Sequence, residues 1–155
     1  MEPEFARREA FLIAGLSRDF DMSDAASAAR LLLLWDEFVG KVDQVTNRVG
    51  VDLFGMGFAW PASRDGLYNY TTAVQISTLD ALPDGWRGRA IEAQEYAVFT
   101  HPGGLDTLMH TVRYVFGEWF PAAGLKRADA PDFELYDEAF QRNEGHVQLW
   151  VPVLR

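Results

Sequence analysis

The chain has 155 residues, 48% of them hydrophobic and 14% aromatic, which describes one globular domain with a substantial core and excludes a disordered chain. Fourteen Lys and Arg against 23 Asp and Glu leave a formal net charge of -9, so no basic face is available for a phosphate backbone and direct nucleic-acid binding is not expected. Cysteine is absent, which removes disulfides, thiolate nucleophiles and Cys metal sites.

The longest apolar run, "LLLLW" from Leu31 to Trp35, is far short of the roughly 20 residues a membrane span requires. The amino end mixes acids into its basic residues and offers no small-residue cleavage site, so it makes a poor signal peptide. A cytoplasmic protein is the expectation.

The first predicted element is a short strand over about Ala10 to Leu16. Ser23 is the expected N-cap of a helix from about Asp24 to Val45, in which Leu31, Trp35, Phe38 and Val42 share one stripe. "DLFGMGFAW" (Asp52 to Trp60) is too glycine-rich for a helix and alternates Phe54, Met56, Phe58 and Trp60, which suits a strand with those side chains in a core. Pro61 to Gly66 is turn chemistry, and "YNYTTAVQI" (Tyr68 to Ile76) is the return strand of a hairpin. "LDALPDGWRGR" is then read as a connector.

The same order comes round again. A strand over Ala90 to His101 is broken by Pro102-Gly103-Gly104. The next helix, Leu105 to Phe120, carries Leu105, Leu108, Val112, Val115 and Trp119 on one stripe and is expected to stop at Pro121. "APDFELYDEAF" gives a strand with Asp132, Glu134 and Tyr136 on one side and Phe133 and Leu135 on the other. After a polar turn at Gln141 to Gly145, "HVQLWVPVL" closes the chain with Val147, Leu149, Val151 and Val153 on the face suited to packing under a helix. Strand, helix, strand, strand thus occurs twice. The fold class is α+β: duplicated βαββ units with pseudo-two-fold symmetry and mainly antiparallel sheets, repeat one about 8–78 and repeat two about 89–155 of a single domain 1–155.

The outward face of the last strand carries His146, Gln148 and Trp150. Simple hairpin pairing places Trp150 beside Glu134 and Tyr136, and two amphipathic rings around one acid suggest a concave site, although an acid on a strand surface is most often just solvated. His101, His110 and His146 have no recognised metal-ligand spacing, and there is no P-loop, GxSxG or Rossmann fingerprint, so no metal or cofactor is expected.

The runs "YAVFTHPGG", "GEWFPAAG", "PDFELYDEAF" and "GHVQLWVPV" resemble the carboxyl half of the GyrI-like domain, the bacterial transcription-activator effector-binding domain. "LIAGLSRDF", "FGMGFAWP" and "YNYTTAVQI" resemble its first half more loosely, so the resemblance covers nearly the whole chain. It implies a small-molecule pocket between two halves, a strand glutamate meeting the ligand within aromatic walls, and ligands that are often lipophilic cations. "FE.Y" puts that role on Glu134 with Tyr136 beside it. The implied ligand contacts are Glu134, Tyr136, Trp150, Tyr70, Phe58, Trp60, Met56 and Trp119.

His146 and Gln148 stand where family members often carry acids, which implies a missing second carboxylate. The chain shows no helix-turn-helix of the kind full-length regulators carry, so a stand-alone domain binding an aromatic, cationic small molecule is expected. Two other classes stay open: a hydrolase of cyclopropane-bearing compounds using Glu134 to activate water, and a gyrase-inhibitor-like protein-interaction module.

Overall fold

The structure, a computed structural model, describes residues 1–21, 23–58 and 67–155. Strands β1 (Glu4–Arg8) and β2 (Phe11–Asp21) precede helix α1 (Ser27–Val39), after which come β3 (Leu53–Phe58), β4 (Leu67–Ile76), β5 (Arg87–Ile91) and β6 (Gln94–Thr100). Helix α2 (Leu108–Tyr114) passes through a π turn (Val115–Trp119) into α3 (Phe120–Ala123). Next are β7 (Lys126–Arg127), β8 (Asp132–Tyr136), α4 (Glu138–Gln141) and β9 (Gln148–Leu154).

The strands form one antiparallel sheet in the order β1-β6-β9-β8-β3-β4-β2-β5, with β7 beside β9. The order reads alike from either end: β6, β9 and β8 follow β1 as β2, β4 and β3 follow β5. The outer strands are exchanged: β1 borders β6, and β5 borders β2. Their registers are reciprocal, Phe5 facing Ala97 where Gly88 faces Ala14.

Both exchanged strands escape the sequence pattern. "EFARR" and "RGRAI" are mostly exposed edge strands with charges in place of apolar alternation, a common protection against edge-to-edge pairing. The expected connector therefore ends in β5, and β1 lies ahead of the first predicted strand.

Helix α1 starts later than its composition suggests. Asp21 Oδ1 accepts from both the backbone N–H and the hydroxyl of Ser23, and Asp24 Oδ1 accepts from the Ala26 N–H. These local turns use up Ser23, so the N-cap is Ala26 with no side-chain bond, and the helix ends at Val39, with Gly40 as its C-cap, rather than at Val45. Leu34 and Phe38 are buried, whereas Leu32 and Leu33 are 66% exposed. Further on, Pro121 does not stop the second helix. The π turn directly ahead of it absorbs the missing N–H and the ring's bulk, and the run continues to Gly124 at φ +67°. The polar turn after β8 is in part α4, capped by Asp137, whose carboxylate accepts from the Phe140 N–H.

Two faces result. On one, α1 lies over Ala14, Leu16 and Val74, and the α2 run lies over Ala97, Phe99, Leu149 and Val151. On the other, Phe54, Met56, Phe133, Tyr96 and Phe11 form a separate core inside the curl of the sheet. The rings of Phe11 on β2 and Phe133 on β8 are 6.4 Å apart, although three strand spacings in a flat sheet amount to about 14 Å. Arg8 closes the curl, its guanidinium 4.2 Å from the Phe11 ring and 5.8 Å from that of Trp150.

Candidate functional site

Glu134 lies at the centre of the sheet, paired across β3 with Gly55 and across β9 with Leu149. Asp132 on the same face is paired with Gly57. The two glycines make the room: a Cβ on Gly55 would strike the Tyr70 hydroxyl and come within 2.7 Å of Glu134 Oε2, and one on Gly57 would strike the Tyr68 hydroxyl. Two tyrosines from β4 thus lie flat across β3 and reach towards the acids of β8.

The Tyr70 hydroxyl donates to Glu134 Oε2 at 3.0 Å and the Tyr136 hydroxyl donates to Oε1 at 3.2 Å. Trp35 of α1 covers the group, its ring 5.3 Å from Tyr136 and 6.3 Å from Tyr70. Leu108 and Val112 of α2 reach Tyr136 from the other side, so the seam between the two helices runs over the site.

Glu134 keeps some contact with solvent but has protein on nearly every side. Burial pushes its carboxyl up from 4.5 to about 7, against the two tyrosine hydrogen bonds, which favour the charged form, while Asp132 adds to the rise. Tyr70 and Tyr136 are held well above the ordinary phenol range, by burial first and then by the Glu134 charge. Asp132 is also raised by burial, yet it has its own counter-ion: Arg127 Nη2 lies 3.1 Å from Asp132 Oδ1. Among the described residues no cation contacts Glu134. A second carboxylate is therefore present on this face, but it is neutralised within the chain.

Of the residues grouped from the sequence, the fold brings together Glu134, Tyr136 and Tyr70. Trp150 lies on the opposite face. The β8–β9 register sets it against Phe133, on which it stacks at 5.4 Å and 14°. The simple hairpin pairing does not hold, because the acid shares a face with the helices instead of avoiding them, which the glycines of β3 make possible. Met56 and Phe58 are buried on the Trp150 side, Phe58 beneath Arg89 at 3.8 Å. Trp119 is on the helix side but packs on Phe99, in the second half's own core. Trp60 falls outside the described residues. Trp35, which the sequence places only on a helix stripe, and the pair Gly55 and Gly57 complete the group. Alternate glycines in an otherwise bulky strand were the available signal. His101 is buried and structural, its ring nitrogens at 2.7 Å from Thr111 Oγ1 and 2.8 Å from the Gly104 carbonyl. Among the described residues no group of three or more His, Cys, Asp or Glu is placed to hold a metal ion, and no helix is long and apolar enough to cross a membrane.

A curled antiparallel sheet with helices on one face defines a mixed α+β domain, and comparison with known proteins identifies its kind. The sequence profile of the GyrI-like small molecule binding domain matches residues 1–154, and the chain belongs to that family. The transcriptional regulator BrlR of Pseudomonas aeruginosa is 22% identical over 157 residues, covering 99% of this chain and 56% of BrlR, so the chain spans little more than half the length of that relative. The structure of SAV2435 bound to tetraphenylphosphonium is similar with a TM-score of 0.78 at 17% identity, covering 99% of this chain and 94% of that one. The C-terminal domain of EcmrR is similar with a TM-score of 0.68 at 13% identity, covering 99% and 98%. At such identities the likeness of the structures shows the fold.

Proposed function

We propose that this domain binds a lipophilic aromatic cation at Glu134, between Tyr70, Tyr136 and Trp35. One observation carries the reading: Glu134 has protein on nearly every side, both its oxygens accept from neutral hydroxyls, and among the described residues no cation contacts it, whereas Asp132 two residues away is paired with Arg127. A permanent cation would supply the missing charge, and ring faces add about 0.5 to 2 kcal/mol each as they lose water. The tetraphenylphosphonium held by SAV2435 has that chemistry. Trp35 has to shift for a bulky ligand to reach the acid, so the reading includes movement of α1, which is tied down chiefly by Leu34 and Phe38.

The test is calorimetric titration with tetraphenylphosphonium and with a neutral tetraphenyl analogue, on the parent and on Glu134→Gln. The substitution is expected to weaken the cation by 2 to 5 kcal/mol, on the order found when a buried charge loses its partner, and to leave the neutral analogue nearly unchanged. Equal loss for both ligands, or for neither, overturns the reading.

A hydrolytic role has one point in its favour, since a carboxyl near 7 is suited to taking a proton from water at neutral pH. Product formation from a cyclopropane-bearing compound, abolished in Glu134→Gln, would select it. We also infer that the whole chain is one domain of two units divided between Ile76 and Arg87, each beginning with the strand it lends to the other. The reciprocal β1–β6 and β2–β5 registers support this.

A further inference from the structure

The arrangement around Glu134 occurs twice on the same face. In the first copy a tyrosine of β4, Tyr70, crosses a glycine of β3, Gly55, to reach an acid of β8, Glu134. Two residues along each strand, Tyr68 crosses Gly57 towards Asp132: a Cβ on Gly57 would strike the Tyr68 hydroxyl and come within 2.9 Å of Asp132 Oδ1. Same-face residues on a strand are two steps apart, so the second copy lies about 7 Å from the first along β8. The Tyr68 and Tyr70 rings are 6.4 Å apart. The Tyr68 phenol is held far above its ordinary range by burial first and then by the charges of both acids, Asp132 and Glu134, so one hydroxyl senses the two copies together.

The copies differ in one respect, because Asp132 has a resident cation. Arg127 Nη2 lies 3.1 Å from Asp132 Oδ1, and the two side chains are only 15% and 11% exposed. The guanidinium is held from other sides as well: it donates to the Ala130 carbonyl at 3.4 Å and lies 5.7 Å from the Phe116 ring of the π turn. Backbone pairing of Arg127 with Val153 fixes the stem of the side chain. Two acids and one guanidinium leave this face a single net negative charge when Glu134 is ionised. For anything bound at Glu134, Arg127 thus has two effects. It cancels the carboxylate that a second cationic centre would need, and it puts a positive charge where that centre would lie.

We propose that Arg127 sets the charge number of the ligand, admitting aromatic monocations at Glu134 and excluding dications whose second charge would fall over Asp132. The inference rests on the Glu134 reading and narrows it from a cation to a monocation. Two like charges about 7 Å apart, at an effective dielectric constant of about 20, repel enough to change an affinity on the order of fiftyfold.

The experiment is calorimetric titration at about pH 8 with two flat biaryl probes that differ in the charge of the second ring, N-methyl-para-phenylpyridinium and the bipyridinium dication methyl viologen. The parent should bind the monocation, lose that binding in Glu134→Gln, and bind the dication at least about tenfold more weakly. Arg127→Gln should raise the ratio of dication to monocation affinity about tenfold to a hundredfold. Protons should be released as the dication binds, since burial raises the Asp132 carboxyl and the counter-ion that opposes the rise is gone. Adding Asp132→Asn to Arg127→Gln removes both charges of the pair and should swing the ratio back towards the monocation. If Arg127→Gln does not fold, Asp132→Asn alone decides: it leaves Arg127 unopposed and should weaken the monocation about tenfold. A ratio unmoved by Arg127→Gln, or a monocation affinity unmoved by Asp132→Asn, overturns the role of Arg127 while Glu134-dependent binding stands. Monocation binding that is absent, or that Glu134→Gln leaves unchanged, overturns the Glu134 reading and this inference with it.

Discussion

Replacing Glu134 by Gln probes the site without any ligand. The Glu134 carboxyl rises from 4.5 to about 7 on folding, so between those values the folded chain holds a proton that the unfolded chain has released. Stability falls with pH wherever the native state binds more protons, so the contribution is fully present below about 4.5 and is lost as pH climbs through about 7. At about 1.4 kcal/mol per pH unit, the charged carboxylate at pH 8 costs about 3 kcal/mol relative to the neutral acid. Gln keeps the size and removes the charge. Its amide nitrogen cannot accept from a tyrosine hydroxyl, so one of the two bonds must reverse or be lost, at about 1 kcal/mol. Glu134→Gln is therefore expected to be about 2 kcal/mol more stable than the parent at pH 8, and equal or slightly less stable at pH 4.5. Urea denaturation at the two pH values measures the difference directly. A difference between the two proteins that does not change with pH would refute the argument, because it would mean the carboxylate is solvated as in the unfolded chain.

The same titration governs binding, since cation affinity should fall about tenfold per pH unit below about 7 as Glu134 takes up its proton, with proton uptake by the buffer detectable in calorimetry. Tyr136→Phe removes one bond to the charged form, so Glu134 should titrate still higher in a carbon-detected NMR pH series, with a stability loss of about 1 kcal/mol at pH 8. Gly55→Ala forces the Tyr70 hydroxyl off Glu134 and should cost about 1 to 3 kcal/mol in denaturation, more than a surface Gly→Ala change elsewhere would. Arg127→Met strands the buried Asp132, and an unfolding loss of about 3 to 5 kcal/mol near pH 7 should shrink towards low pH, where that carboxyl is neutral.

The features set by local sequence are legible in the chain, and those set by pairing across strands are not. Alternation and turn chemistry marked β3, β4, β8 and β9, and the "FE.Y" run singled out Glu134 and Tyr136. The partner Tyr70 was visible only as one of several strand aromatics. Which face each took was decided by register across β3, and the decisive residues there, Gly55 and Gly57, act through the side chains they lack. Trp150 takes the other face for the same reason, since one step of pairing between β8 and β9 moves a ring to the other side of the sheet. Strands β1 and β5 left no periodic trace because an edge strand has a single neighbour and a charged outer surface. Trp35 looked like any helix-stripe aromatic, and only packing shows that it sits on polar tyrosines.

The exchange of β1 and β5 also bears on how the molecule is made. As the chain emerges during synthesis, β1 has no partner until β6 appears some ninety residues later, a wait on the order of ten seconds at about 5 to 20 residues per second. Over that interval β2 can pair with β4, but its outer edge stays open until Arg87–Ile91 arrives. Neither half can complete its border alone, so a nascent first half is a template for foreign strands, and a mispaired β1 would let one molecule close around the β6 of another. The interlock that makes the finished sheet a single body is thus also its route to domain-swapped dimers, a risk that rises with concentration during refolding.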